Sequence, residues 1–124
     1  MDTPDPDRTP PGLTLVLDAV DTALIARFWA AALRYDLQDP VDVYQVLTPP
    51  QSGPVLLVQR VGAPKSGKNR MHLDLHVSDA DAECTRLERL GGSRIGTGAL
   101  GDVRWVTMAD PEGNEFDVVQ DPPD

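Results

Sequence analysis

The segment "MHLDLHVSD" (Met71–Asp79) holds both histidines of the chain and sets them around a carboxylate. His72, Asp74 and His76 alternate with Leu73, Leu75 and Val77. Histidine and aspartate on one strand face can do two kinds of chemistry. They can ligate a divalent metal, or a carboxylate can orient an imidazole as a general base. The same alternation also describes a plain half-buried strand whose polar side is solvated or satisfied by its own network. Residues two apart on a strand share a face but lie about 6–7 Å apart along it. Asp74 is therefore a long reach for His72. No nucleophile pattern accompanies these residues.

The element that must position them has a counterpart earlier in the chain. "LTLVLDAVD" (Leu13–Asp21) lines up with Met71–Asp79, so that Leu15 matches Leu73, Leu17 matches Leu75 and Asp21 matches Asp79. Each strand-like segment ends in an acid suited to cap a helix. The first helix is predicted over Thr22 to about Arg34, with Leu24, Phe28, Ala31 or Ala32, and Tyr35 as its buried stripe. The second runs from Ala80 to about Leu90, buries Ala80, Cys84, Leu87 and Leu90, and stops at Gly91. A short extended stretch follows each helix, Tyr35–Asp39 and Ser93–Thr97, and then a hairpin. The hairpins turn at "PPQSG" and "ADPEG".

Each half therefore reads βαβββ. The predicted fold is a single α+β domain of two tandem βαβββ units, its curled mixed β-sheets enclosing a cleft and its helices on the outer faces. The first unit spans 13–61, a linker 62–69, and the second unit 70–120. Residues 1–12, acidic and Pro-rich, are expected to form a disordered arm, and 121–124 a frayed tail.

Composition narrows the partners. Eleven basic against twenty acidic residues give a net charge of −9. That disfavours nucleic acid and anionic membranes. No apolar run approaches the length of a membrane span, and the start lacks a secretory signal, so a cytoplasmic location is expected. The lone Cys84 excludes an internal disulfide and reads as a small core residue. "GAPKSGKN" (Gly62–Asn69) approaches the phosphate-loop pattern, but Asn69 stands where Ser or Thr is needed and a strand follows instead of a helix. It is read as the basic connection between the units.

The paired layout, "NRMHLDLHVSDADAECTRLERLGG" and "MADPEGNEFDVV" resemble the vicinal oxygen chelate superfamily, in its glyoxalase-like and bleomycin-resistance branch. "FWAAALRYDL" and "VLLVQRV" in the first half support that branch. The resemblance implies a homodimer. In metal-dependent members it also implies a divalent ion held by two positions from each unit. In the second unit these fall on His72 and Asp117; in the first they fall on Thr14 and Leu57, which are poor ligands. Gln59, two residues beyond Leu57, shares its face.

The expected site is therefore a ligand pocket without a resident metal. Thr14, Val16, Leu57 and Gln59 come from the first unit; His72, Asp74, His76, Trp105 and Asp117 come from the second. Such a mix suits a hydrophobic or aromatic small molecule, sequestered rather than transformed. The alternative is a metal-dependent lyase, isomerase or dioxygenase using one divalent ion at His72 and Asp117. Trp29, on the first helix, is expected in the core.

Overall fold

A computed structural model describes residues 12–122. Most of the expected arm, and the last two residues of the tail, lie outside them. The order is β1 (Thr14–Ala19), α1 (Thr22–Leu33), β2 (Asp36–Leu37), β3 (Tyr44–Thr48), β4 (Val55–Arg60), β5 (Asp74–Val77), α2 (Ala80–Arg89), β6 (Ser93–Leu100), β7 (Val103–Ala109) and β8 (Glu115–Gln120). It is the expected α+β pair of βαβββ units. The sheets have the matching orders β1-β4-β3-β2 and β5-β8-β7-β6. In each, the first strand pairs parallel with the last and the other pairs are antiparallel.

Alternation decides which face is buried. Leu56 and Val58 on β4, Met108 on β7, and Phe116 and Val118 on β8 point to the helices and are buried. Leu15, Leu17, Leu75 and Val77 pack against the same cluster. The opposite faces carry the polar candidates.

Both helices begin at the expected caps. Asp21 Oδ1 accepts from Leu24 N at 3.1 Å, and Asp79 Oδ1 accepts from Ala82 N at 3.0 Å. α1 buries a wider stripe than expected: Ile25, Ala26, Phe28, Trp29 and Ala32, with Leu24 exposed. The extra width arises because α1 meets both units. Trp29 packs edge-on against Phe116 at 4.8 Å, and its indole N–H donates to Asp110. Arg86 of α2 donates to the last carbonyls of α1, at Ala31 (3.0 Å) and Ala32 (2.9 Å). Glu112 takes the N–H groups of Val20 and Asp21 at the other end of α1. A carboxylate at a helix N-terminus and a guanidinium at its C-terminus both complement the helix dipole. The second unit thus grips α1 at both ends.

β5 is shorter than its pattern suggested. Its ladder begins at Asp74, with one further backbone bond from Asp117 N to Leu73 O, so Met71 and His72 lie ahead of the strand. Among the described residues, no helix is long and apolar enough to cross a membrane.

Candidate functional site

The polar cluster forms where β5 meets β8. Asp74 and Asp117 are register partners, so their side chains share a face. His72 Nε2 lies 3.2 Å from Asp74 Oδ1 and 3.2 Å from Asp117 Oδ2. Sequence spacing had made Asp74 the remote partner. Because His72 precedes the ladder, its side chain escapes the strand pleat, and the imidazole sits between the two acids. Thr107 Oγ1, opposite Asp117 on β7, donates to Asp117 Oδ1 at 2.6 Å. That bond holds Asp117 while its other oxygen faces His72.

His72 Nε2 and one oxygen each of Asp74 and Asp117 lie within 4.8 Å of one another, close enough to hold a divalent ion after local adjustment. A nitrogen and two carboxylates suit zinc, manganese or iron. All three donors come from the second unit. The corresponding positions of the first give a threonine hydroxyl at Thr14 and no donor at Leu57.

The other candidates are dispersed. His76 pairs with Asp121 at 3.4 Å. Trp105 lies opposite Gly98 and Val119 in the register, and its ring covers Gly98 so closely that a methyl group there would overlap it. The glycine is a seat for the indole, and Val119 is buried on the same face. Leu57 and Gln59 lie half-buried on β4, with Leu57 beside Val16 and Gln59 beside Asp18 on β1. Among the described residues, neither shares a hydrogen bond or a cavity wall with His72.

The cavity of interest lies elsewhere than on the open sheet faces. β1 and β5 are edge strands of separate sheets. Beside β1, between its edge and the segment leading to β5, lies a cavity of about 300 Å³. Leu15, Leu17, Leu56 and Leu73 form its apolar wall with Trp29 at the core side, and Thr14 and His72 contribute polar groups. Of the nine expected pocket residues, Thr14, Val16 and His72 line it. Leu57, Gln59, Asp74, His76, Trp105 and Asp117 do not, although Asp74 and Asp117 reach it through His72.

Sequence reasoning missed the turn that builds this cavity. Asp110, 4% exposed, accepts from Trp29 Nε1 (2.9 Å) and Asn114 Nδ2 (2.8 Å) at Oδ2. Its Oδ1 accepts from Glu112 N and Asn114 N, each at 2.9 Å. The Asp-Pro-x-Gly-Asn stretch carried the resemblance, yet nothing in its spacing shows that the first acid orients an indole of the other unit.

The comparisons agree with this architecture. A family model described as a glyoxalase-like domain matches residues 14–119. No curated protein matches the chain. Among solved structures, a glyoxalase-related enzyme from Fulvimarina pelagi is 19% identical with a TM-score of 0.71, covering 92% of this chain and 90% of its own. A glyoxalase/bleomycin resistance protein/dioxygenase family enzyme from Burkholderia phytofirmans PsJN is 12% identical with a TM-score of 0.72, covering 86% and 95%. An antibiotic binding protein from Streptomyces sp. CB03234 is 18% identical with a TM-score of 0.66, covering 93% and 98%. At these identities the likeness speaks for the fold, which hosts many chemistries. With the family model spanning nearly every strand and both helices, the chain belongs to the glyoxalase-like domain family of the vicinal oxygen chelate superfamily.

Proposed function

We propose that this protein binds an apolar or aromatic organic molecule in the cavity between its units and sequesters it without turning it over. The observation that carries this is the cavity of about 300 Å³, walled by leucines and Trp29, with a few polar groups at its edge. An apolar cleft with sparse polar contacts is how small-molecule sites are built. The antibiotic binding protein of like fold supports a binding role. A panel of aromatic natural products, titrated against tryptophan fluorescence, tests it. Saturable quenching is expected for at least one class, and its absence across the panel would refute the reading. The resemblance also supports a homodimer, which light scattering checks.

A second reading is favoured by the convergence of His72, Asp74 and Asp117. A divalent ion there would supply Lewis-acid chemistry at the cavity edge. The trio would hold it, and Thr107 would orient Asp117. The protein is dialysed against zinc, nickel, manganese and iron(II), desalted, and analysed by mass spectrometry. Stoichiometric metal that is lost in His72→Ala would favour this reading over the first.

A further inference from the structure

The polar edge of the inter-unit cavity has a directional bias. Asn69 turns its amide nitrogen to Glu115 O at 3.0 Å, and Asn114 turns its own to Asp110 Oδ2 at 2.8 Å. Both acceptors lack hydrogens, so the amide orientations are fixed. Each residue therefore keeps a carbonyl oxygen and its second amide hydrogen, and among the described residues no donor reaches either oxygen. His72 turns its Nε2 to Asp117 and Asp74, 3.2 Å from each. Glu115 also lines the cavity, and it is paired only with Lys68, whose side chain is 78% exposed, at 3.5 Å. An exposed pair of this kind is weak and readily exchanged.

Thr14, Asn69, Asn114 and Glu115 each bring an oxygen acceptor to this wall, and Glu115 alone brings a carboxylate. Thr14 alone brings a hydroxyl hydrogen. Lys68 and Arg70 flank Asn69 in sequence, but neither lines the cavity. A carboxylate thus stands among oxygen acceptors beside an apolar chamber. A net charge of −9 adds a long-range field of the same sign.

We propose that the cavity selects an apolar amine, with a hydrocarbon or aromatic body against the leucines and Trp29 and a protonated amino group at Glu115. This rests on the binding role proposed above and adds the chemical class. An ammonium has three donors and no acceptor, which matches this wall. A carboxylate of the same shape would set its charge against Glu115. An alcohol would fall between the two.

The test is a matched series titrated calorimetrically into the full chain: 4-phenylbutylamine, 4-phenylbutan-1-ol and 4-phenylbutanoate. The amine is expected to bind about tenfold tighter than the alcohol, a difference of about 1.4 kcal/mol, and the carboxylate weakest. Glu115→Gln should remove the amine's advantage over the alcohol, and the fold should tolerate it because that side chain pairs with exposed Lys68. Val16→Phe, at a lining position that is 54% exposed, should weaken all three together without disturbing the core. Equal binding of the three, or a preference for the carboxylate, would overturn the amine class and leave the binding role intact. No saturable heat from any of them, or binding indifferent to Val16→Phe, would remove the cavity as the site.

Discussion

Asp110→Asn tests the device that joins the two units, because it keeps the shape of the side chain and changes only what its atoms can do. Asp110 Oδ2 takes two donors, from Trp29 and Asn114, and Oδ1 takes two backbone donors. An asparagine must put its own NH2 where one oxygen stood. Whichever way it turns, two hydrogen bonds are lost and donors face donors in a buried site. Bonds to a charged acceptor contribute about 1.5–3 kcal/mol each, so the expected loss is about 3–5 kcal/mol. That is a large part of the ~5–15 kcal/mol available to a domain. Urea denaturation followed by far-UV circular dichroism should show the midpoint fall by about 2 M. Trp29→Phe removes one of the opposing donors. The double variant should therefore be about 1–3 kcal/mol more stable than additivity predicts. A substitution costing under about 0.5 kcal/mol, or strictly additive variants, would refute the account of Asp110 as the acceptor that fixes Trp29.

Other perturbations have equally defined outcomes. Glu112→Gln weakens the clamp on Val20 and Asp21, and should cost about 1 kcal/mol in this partly exposed setting, read as a lower thermal midpoint. Gly98→Ala drives a methyl into the Trp105 ring and should cost about 1–3 kcal/mol, with a change in near-UV circular dichroism as the indole is displaced. The Glu83 carboxyl is held below its ordinary 4.5 mainly by its hydrogen bond from Arg86. Its stabilisation is present above that value and is lost as pH falls through the lowered folded value, since the unfolded chain takes up the proton first. Glu83→Gln should flatten the stability profile on that acid side, measured by denaturation at a series of pH values.

The internal repeat made the fold legible. Leu13–Asp21 and Met71–Asp79 place equivalent strands, and Asp21 and Asp79 cap equivalent helices where the sequence puts them. Alternation also places the acid pair, because Asp74 and Asp117 stand side by side in the ladder. What periodicity does not encode is contact across units. Trp29 is in the core as expected, but Ile25 is buried in place of Leu24 because α1 packs on Phe116 as well as on its own sheet. The location of the cavity is hidden for the same reason. It depends on two edge strands belonging to separate sheets, a relation between distant segments that neither strand's pattern records. His72 came closer to Asp74 than strand spacing allows because the ladder starts two residues after it.

Methyl NMR of the full chain during titration with 4-phenylbutylamine tests the central claim, that the ligand is held between the units. Saturable shifts concentrated on the methyl groups of Leu15, Leu17, Leu56 and Leu73, with Leu57 and Val119 on the open sheet faces little changed, are the predicted result. Shifts centred on Leu57 and Val119, with the four cavity leucines unmoved, would contradict it.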